Sequence, residues 1–112
     1  MTTITQAQLV APFQLAGADA SVYSPPTLTL AKIGRAVFCN TTASTLTITA
    51  GITTGGALAA ATTMISARPI APGESYVSPE LAGACIPPGS QLHAYASSAT
   101  SVTFEVSGLL FQ

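Results

Sequence analysis

The sequence predicts an all-β protein, an antiparallel β-sandwich of about seven or eight short strands. Three observations carry this. Apolar residues recur with a period of two: Leu46, Ile48 and Ala50 alternate with Thr45, Thr47 and Thr49, and Val102, Phe104 and Val106 alternate with Ser101, Thr103 and Glu105. Turn-forming groups punctuate the chain at short intervals, among them Ser24-Pro25-Pro26, Asn40-Thr41-Thr42, Ala71-Pro72-Gly73 and Pro87-Pro88-Gly89-Ser90. No segment reads as a helix long enough to cross between parallel strands, which excludes βαβ folding.

Taken in order, residues 1–18 read as an N-terminal arm with a strand somewhere in 4–15. Its apolar residues Ile4, Leu9, Val10, Phe13 and Leu15 keep it from floating free. It either completes the sheet of its own subunit or lies on a neighbour. Residues 19–112 form the sandwich domain. A strand near 20–24 ends at the proline pair. The segment 27–40 is longer and evenly apolar, so it is buried on both faces or bent, with Gly34 as the natural bulge. Strands near 44–52 and 62–70 flank Gly55-Gly56-Ala57-Leu58-Ala59-Ala60-Ala61-Thr62-Thr63, a loop feeding a strand or a single helical turn. Further strands are expected near 74–79, 90–97 and 101–110. In 90–97 Leu92, Ala94 and Ala96 face the core, and His93, Tyr95 and Ser97 face away from it.

The chain has 112 residues, enough for one modest core. Charged residues make up only 6 % of it, against about 25 % in ordinary soluble domains. The full set is Lys32, Arg35 and Arg68 against Asp19, Glu74, Glu80 and Glu105, with one histidine, His93. Three basic residues cannot neutralise many phosphates or hold the chain on an anionic bilayer, which argues against nucleic-acid and membrane-surface partners. No apolar run approaches the ~20 residues of a spanning helix. The N-terminus lacks the basic start and apolar core of a signal peptide, so synthesis in a cytoplasm is expected. There thiols stay reduced, and Cys39 and Cys85 are expected as buried free thiols. They could pair only if their strands were neighbours. Two cysteines and one histidine cannot supply a four-ligand zinc site.

Catalytic constellations are equally thin. His93 and Asp19 could be grouped with a serine, but no nucleophile elbow occurs, and His93 is expected at a surface or interface. Glu74 and Glu80 are separated by a turn-rich strand and Pro79; solvation or an ion pair with Arg35 or Arg68 is the expected role. Gly55-Gly56 lacks the lysine and helix of a phosphate loop. The reading is no enzyme, with no catalytic, cofactor or metal site. Tyr23, Tyr76 and Tyr95 could line a sugar-binding surface, and equally could be half-buried strand residues.

Protein contact remains. A surface this poor in charge lacks the usual means of staying solitary, and edge strands without lysines invite pairing. The expected contact elements are the arm from Thr2 to Ala16 and the loops 53–63 and 85–90. The named contact residues are Ile4, Leu9, Val10, Phe13, Leu15, Leu58, Pro87 and Pro88.

Three segments together resemble a known group. They are Ala36-Val37-Phe38-Cys39-Asn40-Thr41-Thr42 followed by Leu46-Thr47-Ile48-Thr49; Ile70-Ala71-Pro72-Gly73-Glu74-Ser75-Tyr76; and Ile86-Pro87-Pro88-Gly89-Ser90-Gln91-Leu92-His93-Ala94-Tyr95-Ala96 leading to Val102-Thr103-Phe104-Glu105-Val106-Ser107-Gly108. In this order they resemble small virion-associated proteins of tailed bacteriophages, over roughly residues 20–108, with the arm outside. The resemblance implies a jelly-roll-like sandwich of the capsid cement or decoration type. Such a protein binds the exterior of the shell, clamps neighbouring major capsid subunits and works as a homo-oligomer, a dimer or trimer. It implies a virion protein made in the host cytoplasm. Related sandwiches at the neck, tail and fibre base keep a second reading open, a module binding host-surface carbohydrate or other virion proteins. The shared motifs are turns, so no functional residue carries over.

Overall fold

A computed structural model describes residues 3–112. It contains nine strands among the described residues: β1 (Ile4–Gln14), β2 (Ser21–Tyr23), β3 (Leu30–Asn40), β4 (Leu46–Thr53), β5 (Thr63–Ile70), β6 (Ser75–Val77), β7 (Cys85–Ile86), β8 (Gln91–Ala96) and β9 (Val102–Phe111). One sheet has the order β1-β9-β3-β6, with β7 also on β3, and the other β2-β8-β4-β5. All pairings are antiparallel. Leaving β7 aside, every link between successive strands crosses from one sheet to the other except the β4–β5 hairpin. This is the winding of a jelly roll: a long antiparallel ribbon rolled so that its two halves face each other.

The period-two pattern explains which face is buried. Ile48 and Ala50 on β4, Leu92, Ala94 and Ala96 on β8, and Val102, Phe104 and Val106 on β9 all lie in the core. An aromatic row crosses the first sheet. Phe13 pairs in register with Phe104, Phe104 with Phe38, and Phe38 with Tyr76. The Phe38 and Phe104 rings stack at 4.5 Å between centroids, and both are fully buried. Rows of this kind contribute cross-strand energy beyond the area they bury.

Residues 4–14 of the expected arm are β1, hydrogen-bonded to β9 at the edge of the first sheet. Val10 and Leu15 are buried in the domain's own core. The bulge at Gly34 is present, as the β3–β9 register shifts between Ile33 and Arg35. Gly108 lies against it: a Cβ there would sit 2.0 Å from the Lys32 carbonyl oxygen, so only glycine fits. Two differences from the sequence reading stand out. β3 begins at Leu30, with Thr27 and Leu28 in a turn. β7 is too short, at two residues, to show a period.

The sandwich has two ends. At one, here called the Asn40 end, the links 41–45, 71–74 and 97–101 gather, since Asn40 pairs with Val102, Cys39 with Ser75, and Leu46 with Ile70. The Leu28 end carries the links 24–29, 54–62 and 87–90 together with both described chain ends, since Leu30 pairs with Phe111, Phe111 with Ile4, and Thr53 with Gln91. Thr3 and Gln112 exchange backbone hydrogen bonds there, at 2.7 and 2.8 Å.

Candidate contact surface

The Asn40 end is closed by hydrogen bonds. Asn40 is fully buried. Its Nδ2 donates to the Ser44 carbonyl at 2.7 Å and the Ile70 carbonyl at 3.0 Å. Its Oδ1 accepts from the Thr42 amide at 2.9 Å and the Thr42 hydroxyl at 2.7 Å. One side chain thereby ties the 41–45 link to the end of β5, with every polar atom satisfied. The neighbouring Ala71-Pro72-Gly73-Glu74 turn is fixed by the Ala71 amide donating to Glu74 Oε1 at 2.9 Å, with Gly73 at a φ of +70° that favours glycine.

The Leu28 end is different in kind. Its links contain Leu28, Leu58, Pro87 and Pro88 and no charged residue. Of the eight contact residues named from sequence, Val10 and Leu15 are already committed to the core, which removes them from any outer surface. Leu9 and Leu58 are half-buried, and Leu9 packs on the core edge. Ile4, Pro87 and Pro88 are exposed at the Leu28 end. Phe13 is exposed on β1 near the Asn40 end and packs edge-on to Phe104. The eight therefore form no single patch. Leu28, which the sequence reading placed inside a core strand, is 84 % exposed. The signal that could have found it is local: a leucine two residues after a proline pair, where a turn was already expected.

Across the outer face of the second sheet the segment 54–62 is strapped down. His93 Nδ1 lies 2.9 Å from Asp19 Oδ1, and Asp19 Oδ2 accepts from the Leu58 amide at 3.0 Å. His93 Nε2 faces Gln91 Oε1 at 3.0 Å. Gly51, which pairs with His93, leaves the room for this: a Cβ there would lie 2.1 Å from the Thr62 carbonyl oxygen. Desolvation pushes the Asp19 carboxyl up, but the Leu58 amide, the His93 ring and the Ala20 amide together hold it below its ordinary value. His93 does point away from the core face, as its strand phase requires, yet it is buried rather than at the surface, because the 54–62 segment covers it from outside. The far ring nitrogen faces an amide and not a serine, so the Asp19–His93 pair works as a fastening.

The remaining polar groups sort themselves equally plainly. Glu80 accepts hydrogen bonds from the Tyr76 hydroxyl and, at 3.2 Å, from Ser78 Oγ. The Tyr76 bond in particular holds the Glu80 carboxyl below its ordinary value. The Arg68 guanidinium stacks over Tyr76 at 4.0 Å from the ring centroid. Arg68 thus meets an aromatic face, and among the described residues no carboxylate lies in ion-pair contact with it or with Arg35. Around Gly34 a shallow depression of about 520 Å³ is lined by Gln6, Gln8, Arg35 and Ser107. Among the described residues no three His, Cys, Asp or Glu side chains come together as a metal site would require.

Both cysteines are free. Cys39 is half-buried and Cys85 exposed, which corrects the expectation of two buried thiols: Cys85 sits on a two-residue strand at the rim. Cys85 pairs with Lys32 on β3, seven residues along that strand from Cys39, or about 23 Å at strand rise. A disulfide needs Cα atoms within about 7 Å. The three tyrosines share no face: Tyr23 and Tyr76 pack on the core from opposite sheets, and Tyr95 points outward from β8.

Comparison with known proteins locates the architecture. No protein-family model and no curated protein sequence matches the chain. Solved structures do. The structure of infectious bursal disease virus, Gx strain, superposes with a TM-score of 0.60 at 14 % identity, covering 98 % of this chain and 32 % of that one. The VP2 subviral particle of the same virus gives 0.54 at 17 % identity, with coverages of 98 % and 32 %. Its T13 viral particle gives 0.53 at 14 % identity, with coverages of 99 % and 30 %. At these identities the likeness is one of fold. The chain spans about a third of the length of the proteins it matches.

Proposed function

We propose that this chain is a structural protein of a virus particle, a jelly-roll cement subunit of the tailed-bacteriophage type. In this reading it binds the exterior of a major capsid shell as a homo-oligomer, after synthesis in the host cytoplasm. The observation that carries the reading is the partly apolar Leu28 end, whose links carry no charged side chain, set on a jelly roll. Two things support it: the turn motifs around Asn40, Gly73 and Gly89, and the likeness of fold, along 98 % of the chain, to chains of viral particles. Each copy would need an interface of only about 1,600 Å² in total, because many symmetric copies act together. Contact through apolar and hydroxyl groups is insensitive to screening.

The test is cosedimentation of the purified chain with empty shells of its cognate capsid protein, at about 0.1 M and about 1 M salt. Binding that persists at both, with a rise in the temperature at which shells rupture, is the expected result. Loss of binding at moderate salt would sink the apolar-contact reading. A glycan-array signal dependent on Tyr23 or Tyr95 would favour a tail or fibre module instead.

A further inference from the structure

Each sheet has two edges among the described residues, and all but one are blunted. β2, β6 and β7 are three residues long or shorter. β5 carries Arg68 and Pro69 and is interrupted by Ala67 at a φ of +46°, devices that keep a further strand from pairing. β1 is the exception. It is eleven residues long, it ends its sheet, and residues 1–18 contain no charged residue. Its register shifts and Pro12 fall after Gln8, so the segment from Ile4 to Gln8 is regular.

The hydrogen-bond phase of that segment is fixed at its start. Thr3 and Gln112 exchange both backbone bonds, at 2.7 and 2.8 Å. The register then runs without a shift from Ile4↔Phe111 to Gln8↔Ser107. Antiparallel pairs alternate between bonded and non-bonded. Thr5 and Ala7 therefore bond to β9, and the N–H and C=O groups of Ile4, Gln6 and Gln8 point to the open side. All three residues are exposed, and no described strand pairs with them there.

We infer that a second copy of the chain completes this edge, β1 against β1, antiparallel about a two-fold axis at Gln6. Free backbone donors and acceptors in strand phase take a strand. On a second copy the other edges are blunted, which leaves its β1. The symmetry then sets every pair. Ile4 exchanges both backbone bonds with Gln8 of the second copy, Gln6 with Gln6 of the second copy, and Thr5 stands opposite Ala7. All of these are uncharged, so the edge meets itself without like-charge repulsion. The facing Gln6 amides each offer the other a donor and an acceptor. The joined sheet runs β6-β3-β9-β1 and onward through the same order reversed. This rests on the reading above only for the homo-oligomer, and it supplies that oligomer's contact.

The test is sedimentation equilibrium of the native chain and three variants. A contact this small gives a weak dimer, with a Kd of about 10–100 µM, so the native chain should pass from monomer to dimer between about 5 and 500 µM. Gln6→Pro removes an outward N–H, a place where an edge strand tolerates proline. It is expected to weaken the dimer at least ~10-fold at about 0.1 M and about 1 M salt alike. Gln6→Lys sets two like charges face to face, on an exposed position that keeps the fold even if the proline does not. Its loss should be at least ~10-fold at about 0.1 M salt and should shrink at about 1 M. Ser66→Lys makes the same charge change at an exposed position on β5 and should leave the dimer unchanged. A native chain that stays monomeric throughout would overturn the pairing, as would a dimer that both Gln6 variants leave intact. An equal loss with Ser66→Lys would overturn the location. Shell cosedimentation separates the two readings: a monomer that binds shells overturns the pairing alone, and a Gln6-dependent dimer that binds none overturns the cement reading alone.

Discussion

The two ends of the sandwich solve the same problem, how to turn the chain from one sheet to the other, by opposite means. At the Asn40 end a single buried amide satisfies four hydrogen bonds, and glycine occupies the left-handed position of the Ala71–Glu74 turn. Both ends also hold a non-glycine residue in the left-handed region, Thr100 at a φ of +53° at the Asn40 end and Leu28 at +59° at the Leu28 end, but the polar threonine suits solvent whereas Leu28 leaves a large apolar side chain 84 % exposed. One end is built for the chain's own stability. The other leaves apolar surface open. The difference separates what holds the fold from what is free to meet a partner.

That contrast can be broken. The largest effect is expected for Asn40→Leu, which strands the Ile70 and Ser44 carbonyls and the Thr42 amide. It should lower stability by about 3 kcal/mol in denaturant unfolding, while the fraction that folds binds its partner normally. A loss under ~1 kcal/mol would show that the Asn40 end is not the structural one. Next is Gly51→Ala. Its methyl group meets the Thr62 carbonyl and the Leu58 side chain, so the 54–62 segment must lift. Overpacking of this sort costs about 1–3 kcal/mol, and limited proteolysis should cut within 54–62 faster than in the native chain. Unchanged cleavage would mean the segment is not held by close packing.

The smallest expected effect is on the acid limb of stability. Asp19 is held below its ordinary value of 3.8, so as pH falls the unfolded chain takes up that proton before the folded one. The stabilisation is therefore present above pH 3.8 and is lost as pH falls through the lower folded value. Asp19→Asn should flatten this part of the stability-against-pH curve; superimposable curves would show that the strap adds nothing.

Much of the fold was legible because it is written in period two. Leu46 to Ala50 and Val102 to Val106 declare their faces without help from distant residues, and Gly34 marks its own bulge. What escaped depends on partners far away in sequence. Asn40 reads as a turn residue; its bond to Ile70, thirty positions on, makes it a hub. The strand phase turns His93 outward, and it does face outward. Periodicity cannot reveal that a separate segment folds over that face, nor that Gly51 exists to admit it. Leu28 escapes for the converse reason: its apolar character suggests a core strand, whereas the turn begun by Pro26 runs on to Thr29.

The paired backbone bonds between Thr3 and Gln112 make the described chain a nearly closed ring. Its ends could be joined by a short linker and reopened between Gly55 and Gly56, where both residues are exposed and an added Cβ meets nothing within 4 Å. Such a circular permutant should keep the nine-strand architecture. It would also place the new ends away from Ile4 and Leu28, beside which the described ends lie.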